Sequence, residues 1–343
     1  MKNAENLVLE RHAATGLTPQ PFATDPNLDP QVIEFLEGLN TGGPGLETLT
    51  PLAARQALTD AQASVDVELS GIEVHETTIH QDGYKVPLHL VRPAGTTHQV
   101  LPVFIFVHGG GWVLGDFPTH QRMVRDLVVA TGYVAVFVNY TRTPDAHFPQ
   151  AIHEIYAATK WVAENGNAIG VDGQNLAVVG NSVGGNMSTV VCLLAKCSGG
   201  PKIKLQVLMW PLTNADVTTD SYQQFGQDRF LTTSLMKWMF DLYTTDPTER
   251  QLSTHSPLQA TSEELRDLPP ALIQVAENDV LRDEGEAYGR QLSAAGVPTT
   301  TIRYNGMIHD FGLLNGLATL PATRSLFRHA AAELKHYLGQ GQL

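Results

Sequence analysis

Cysteine is scarce in this sequence: there are two, Cys192 and Cys197. They sit five positions apart in a segment that reads as helix, so they do not share a face and no bridge between them is expected. Without a disulfide framework the chain suits a reducing compartment, and a cytoplasmic location is the expectation. Basic side chains are also in short supply. Lys and Arg total 22 against 35 Asp and Glu, a formal charge of −13. Such a chain gains nothing from a phosphate backbone, which argues against nucleic acid as a partner and for charge that serves solubility. No run of about 18 apolar residues occurs, so no membrane span is expected. The opening segment Met1–Ala14 carries Lys2, Glu5, Glu10 and Arg11 and no long apolar core, unlike a signal peptide. Internal repeats and low-complexity tracts are lacking too, which excludes solenoids and arrays.

What is present points to one sizeable core. The chain has 343 residues, 43% of them apolar, enough for a single catalytic unit with an added segment. From Val100 onward, short continuous apolar runs alternate with helical patterns. Leu101–Val107, Val134–Asn139, Leu176–Val179, Leu205–Met209 and Leu272–Val275 read as strands buried on both faces. Gln150–Asn165, Gly185–Lys196 and Asp283–Ala295 read as the helices between them. This alternation predicts an α/β fold with a mostly parallel sheet. Gly71–Ile79 and Lys85–Val91 form a leading antiparallel pair about the turn Gln81-Asp82-Gly83. Two regions break the rhythm. Residues 1–65 hold two helical segments, Pro30–Asn40 and Pro51–Val65, and no strand. Residues 213–269 are rich in aromatics and Met. Both are expected to form a cap over the C-terminal edge of the sheet, with 66–212 and 270–343 as the core.

Three segments carry chemistry. Gly180-Asn181-Ser182-Val183-Gly184 follows an apolar strand and precedes a helix, the context of a nucleophile elbow. A turn that tight strains the backbone of Ser182 and leaves no room for side chains at its flanks. His108-Gly109-Gly110-Gly111-Trp112 follows another strand. Its bare N–H groups suit a developing oxyanion, with the N–H of Val183 as a further donor. A dinucleotide loop would need a third glycine at position 114, which is Leu114, so a nicotinamide oxidoreductase is disfavoured. The third segment supplies a base and its partner. In the order nucleophile, acid, histidine, Asp279 follows the strand Leu272–Val275, with Glu277 as the alternative carboxylate. Asp283, three residues before Glu286, reads as a helix capping box. His309, His329 and His336 follow Asp279. The last two lie in the helical stretch Thr323–Leu338, which leaves His309, in a loop after Thr299–Tyr304, as the base. His75-Glu76 with His80 has the wrong spacing for zinc and alternates like a strand. The sequon Asn186-Met187-Ser188 falls in the elbow helix, where a glycan would not fit.

With these motifs assembled, the sequence resembles the hormone-sensitive-lipase-like family of α/β-hydrolase carboxylesterases. The match rests on the glycine loop at 108–112, Gly180-Asn181-Ser182-Val183-Gly184-Gly185, Asp279-Val280-Leu281-Arg282-Asp283-Glu284-Gly285 and His309-Asp310-Phe311. The resemblance implies the α/β-hydrolase fold, an eight-stranded mostly parallel sheet under a helical cap. It implies hydrolysis of small esters with short to medium acyl chains by Ser182, Asp279 and His309, without metal or cofactor. It places the oxyanion donors at Gly110, Gly111 and Val183, with Gly109 left open. Trp112, Phe230 and Leu231 are candidate pocket residues by motif position and apolar character. The chain departs from the family pattern at Asn181, where Asp or Thr is usual, at Val183 for Ala, at Val280 for Pro, and in Tyr140-Thr141-Arg142-Thr143-Pro144-Asp145. These bear on substrate preference rather than on the reaction. An amidase or arylformamidase, and a non-catalytic small-molecule receptor, are rival readings of the same scaffold. Assembly as a homodimer is left open.

Overall fold

Apolar residues at successive strand positions point to opposite faces, so a run without polar alternation calls for cover on both sides. The computed structural model, which describes residues 21–339, has this arrangement. Eight strands, β1 (Ile72–Gln81), β2 (Tyr84–Pro93), β3 (Leu101–Val107), β4 (Val134–Val138), β5 (Val171–Asn181), β6 (Gln206–Met209), β7 (Ala271–Asn278) and β8 (Thr299–Ile308), form one sheet in the order β1-β2-β4-β3-β5-β6-β7-β8. The first two joints, β1–β2 and β2–β4, are antiparallel and the others parallel. The β1–β2 hairpin turns at Asp82-Gly83, both at positive φ.

Strand β3 shows how the core divides. Val103, Ile105 and Val107 face one apolar cluster, and Phe104 and Phe106 face the other. The first cluster is covered by helices Gln150–Asn165, Val183–Ser198 and Arg282–Ala294. The second is covered by Phe117–Thr131 and Pro321–Leu338. Helix Phe117–Thr131 was not anticipated from the sequence. Asp116 caps it in a capping box with Thr119, and Gly132 closes it in the left-handed region.

The two irregular regions touch each other. Helices Pro30–Asn40 and Pro51–Ala63 begin with a capping side chain, Asp29 or Thr50, followed by proline. Asn40 donates to the Asp228 carbonyl at 3.1 Å, Ser234 donates to Glu47 at 2.7 Å, and a buried ion pair joins Arg229 to Asp25 at 2.6 Å. Within 213–269, helices Asp220–Phe225, Thr233–Tyr243 and Ser262–Leu265 bury Tyr222, Phe225, Met236, Met239, Phe240 and Tyr243 against the first cluster. Met1–Ala14, read above as unlike a signal peptide, lies outside the described residues. No helix among the described residues is long and apolar enough to cross a membrane.

Candidate active site

The site is built where the central strands end. β5 stops at Asn181 and a helix starts at Val183, so the chain reverses within one residue. Ser182 takes φ +56° and ψ −124°, a strained conformation for an L residue. Its N–H donates to the Met209 carbonyl at 2.9 Å, and its own carbonyl accepts from Asn186 at 3.1 Å and Leu212 at 3.2 Å. A Cβ at Gly184 would collide with the Val107 carbonyl oxygen, so the turn closes against β3 only with glycine there. Asn186, of the sequon, is buried, and its amide donates to the carbonyls of Leu212 and His255.

His309 follows β8 and reaches across the strand ends. Its Nε2 lies 3.1 Å from Ser182 Oγ, and its Nδ1 lies 2.7 Å from Asp279 Oδ2. The other oxygen of Asp279 accepts from Leu281 N–H at 2.9 Å. All three side chains are buried. Burial lowers the basicity of the His309 imidazole, but the carboxylates of Asp279 and Asp310 outweigh it and hold the ring above its ordinary value. A neutral imidazole that donates Nδ1–H to Asp279 turns a lone pair on Nε2 toward the hydroxyl. Glu277, the alternative carboxylate, points elsewhere and accepts from Gly306 N–H at 2.8 Å. The capping box expected at Asp283 does not form. Its carboxylate accepts from Ser221 N–H and pairs with Arg282, and Glu286 pairs with Arg303. Tertiary partners outcompeted the local cap.

The glycine loop lies beside the hydroxyl's strand. Gly110 and Gly111 both take positive φ, +109° and +61°. Gly109 N–H is already spent on Asn181 Oδ1 at 2.9 Å. The N–H groups of Gly110 and Gly111 have no acceptor among the described residues. Val183 heads its helix, where N–H groups lack an intrahelical acceptor. Two guanidinium groups brace the loop from behind. Arg55 donates to the carbonyls of Val113 and Thr143, each at 2.8 Å, and Arg142 donates to that of Gly115. A hydroxyl facing a free imidazole lone pair, next to unspent backbone donors, can attack a carbonyl carbon and shelter the oxyanion that results.

Of the candidate pocket residues, Trp112 has no exposed surface and stacks on Tyr243 at 4.0 Å between ring centres. Leu231 is buried in the first cluster, and Phe230, half-buried, packs on the second. Sequence reasoning missed three features. Met239 occupies the space a Gly111 side chain would need. Asp310 places Oδ2 3.8 Å from His309 Nε2, while its Oδ1 accepts from Asn181 Nδ2 and Trp210 Nε1 at 3.0 and 2.7 Å. Glu284 is buried between the acid's loop and residues 213–214. The contacts of all three residues cross between distant segments, and no local pattern signals them.

Comparison with known proteins gives the family. The family model for the alpha/beta hydrolase fold matches residues 104–313. The chain belongs to the hormone-sensitive-lipase-like family of α/β-hydrolase carboxylesterases. It is similar to the carboxylesterase NlhH of Mycobacterium tuberculosis, with 31% identity over 93% of this chain and 99% of that protein. It is similar to an ethyl acetate hydrolase of Pseudomonas putida, 34% identical over 67% of this chain and 73% of that one. Among solved structures, a thermostable esterase from Pseudomonas putida ECU1011 is 57% identical with a TM-score of 0.91, over 92% of this chain and 99% of that one. Membership in this family makes the chain an ester hydrolase.

Proposed function

We propose that the chain hydrolyses small carboxylic esters with short to medium acyl chains, with Ser182 as nucleophile, His309 as base and Asp279 as the acid behind it. The contact of Ser182 Oγ with His309 Nε2 at 3.1 Å, backed by Asp279 at 2.7 Å, carries this reading. As Oγ attacks the ester carbonyl, its proton passes to Nε2, and Asp279 stabilises the imidazolium. The N–H groups of Gly110, Gly111 and Val183 receive the oxyanion. Gly109 is the weaker choice because its donor is already engaged. Collapse returns the proton from Nε2 to the leaving alcohol. Water, deprotonated by the same nitrogen, then attacks the acyl-enzyme and releases the acid.

Residues 1–65 and 213–269 are read as the cap. Arg55 and Met239, one from each, meet the glycine loop, and this contact supports the assignment. Of the three pocket candidates, half-buried Phe230 is assigned to the substrate pocket, with Met239 beside Gly111 limiting acyl length, while Trp112 and Leu231, buried in the first cluster, back it from behind. The ethyl acetate hydrolase among the relatives accords with a preference for short acyl groups. Two free thiols accord with a cytoplasmic setting. A homodimer would have two outer strands to use, β1 and β8, at the two edges of the sheet. The test is a series of p-nitrophenyl esters of rising acyl length, together with labelling by a fluorophosphonate probe. Wild type is expected to label at Ser182 and to favour short to medium chains. Ser182→Ala is expected to lose labelling and turnover and to keep its melting temperature. Turnover by that variant, or a preference for long chains, would overturn the reading.

A further inference from the structure

The root of the 213–269 insertion is stitched to the loop that carries Asp279. Glu284 Oε1 accepts from the N–H groups of Thr213 and Asn214, at 2.6 and 3.1 Å. Thr213 Oγ1 donates to the Glu284 carbonyl at 2.9 Å. Ser221 Oγ donates to the Val280 carbonyl at 2.6 Å, and Ser221 N–H donates to Asp283 at 2.8 Å. These bonds bracket Leu281, whose N–H holds Asp279 Oδ1. The same stretch also reaches the nucleophile, since Leu212 N–H donates to the Ser182 carbonyl at 3.2 Å. We propose that Glu284 is a positioning residue for the triad: its carboxyl ties the Leu212–Asn214 segment that braces Ser182 to the loop that holds Asp279. The proposal rests on the triad reading given above.

The chemistry of the site says which property of Glu284 matters. The residue is buried, and its Oε2 has no partner among the described residues. Burial drives its carboxyl well above the usual range. The N–H groups of Thr213 and Asn214 pull it down less than that, and Asp279 and Asp216 add to the rise. Burial and the nearby carboxylates thus favour the protonated form of Glu284. Ionised, it would set a second buried negative charge near Asp279. A protonated carboxyl and a carboxamide have the same shape and offer the same carbonyl oxygen, so Gln can replace Glu here and Ala cannot.

The test compares wild type with Glu284→Gln, Glu284→Ala and Ser221→Ala. Active sites are counted by stoichiometric fluorophosphonate labelling, and p-nitrophenyl acetate kinetics are measured from about pH 5 to about pH 9. Glu284→Gln is expected to stay within about twofold of wild type across the range. Glu284→Ala is expected to lose about tenfold or more in kcat per labelled site, with KM changed by less than about threefold. Its acidic limb should move to lower pH, because a displaced Asp279 supports the imidazolium less. Ser221→Ala is expected to lose kcat severalfold. A residue that merely fills space would lower the melting temperature and leave kcat per site and the pH profile alone. Unchanged kcat in a folded Glu284→Ala protein overturns the proposal, as does Glu284→Gln being equally impaired. Should Glu284→Ala fail to fold, wild-type kcat in Ser221→Ala overturns it. Failure of wild type to label at Ser182 would instead sink the triad reading beneath it.

Discussion

Asp310 follows the proposed base directly, and Asp310→Asn tests how the site sets the imidazole. Its Oδ2 lies 3.8 Å from His309 Nε2. Its Oδ1 is occupied by Asn181 and Trp210, and its backbone takes φ +58°. Asn tolerates that conformation and keeps the Oδ1 acceptor, so the substitution removes charge and little else. Two unit charges at this separation interact by roughly 4 kcal/mol at an effective dielectric of about 20. Part of the carboxylate charge sits on Oδ1 and is neutralised by two donors. A shift of about one pKa unit, about 1.4 kcal/mol, is the reasonable fraction. The sign follows from the role. The base must be neutral to accept a proton, so kcat/KM rises with pH through the His309 pKa. That pKa is raised in the native site: burial lowers it, and Asp279 and Asp310 more than compensate. Removing the Asp310 charge therefore moves the acidic limb to lower pH. Amide hydrogens facing Nε2 push the same way. The imidazolium formed during attack loses the same support, so plateau kcat should fall by up to about tenfold. The assay is kcat/KM on p-nitrophenyl acetate across the acidic limb, corrected for spontaneous hydrolysis. A limb that stays put, or moves to higher pH, would refute the electrostatic account.

Arg55→Ala should leave the carbonyls of Val113 and Thr143 without their donor, at a cost of about 1–3 kcal/mol in stability. Because Val113 closes the glycine loop, kcat should fall more than KM rises; a variant with normal kcat would separate the brace from catalysis. Burial, aided by nearby arginines, holds the imidazoles of His120 and His255 down at about 4 in the folded chain. Each contributes stability that is complete above the unfolded value of about 6.5 and is lost as pH falls toward 4, on the order of 3 kcal/mol apiece. Melting temperature should drop steeply over that window. A flat profile there would contradict neutral burial.

The strands of the sheet and the three side chains proposed to react stand out in the sequence because each depends on local chemistry: continuous apolar runs, a glycine-flanked turn, a strand-end acid. Helix Phe117–Thr131 shows helical spacing only in its second half, at Met123, Val124, Leu127 and Val128; its first turns bury Thr119, His120 and Arg122, which mask the pattern. The partners that make those polar residues acceptable lie elsewhere in the chain. Arg122 donates to the carbonyls of Gly312 and Leu313, 190 and 191 positions away. Asp283 illustrates the converse error. Its spacing to Glu286 matches a cap, yet Ser221 and Arg282 claim the carboxylate.

Backbone strain adds a link that glycine positions alone do not reveal. Four of the eight non-glycine residues at positive φ among the described residues, Trp112, Ser182, Trp210 and Asp310, stand in or beside the site. Conformations of this kind cost of order 1–3 kcal/mol each and persist only where surrounding contacts enforce them. Here the enforcing contacts run through Asn181. Its Oδ1 accepts from Gly109 N–H and its Nδ2 donates to Asp310, which also takes the Trp210 indole N–H. The glycine loop, the elbow and the segment after the base are thus joined through one amide. That explains the departure from the family pattern at this position. An aspartate at 181 could accept from Gly109, but it has no proton for Asp310 and would face that carboxylate at about 3 Å, a separation at which two buried carboxylates do not both ionise. Asn at 181 and Asp at 310 are therefore one paired choice. Reverting the first alone to Asp should cost activity unless Asp310 is neutralised with it.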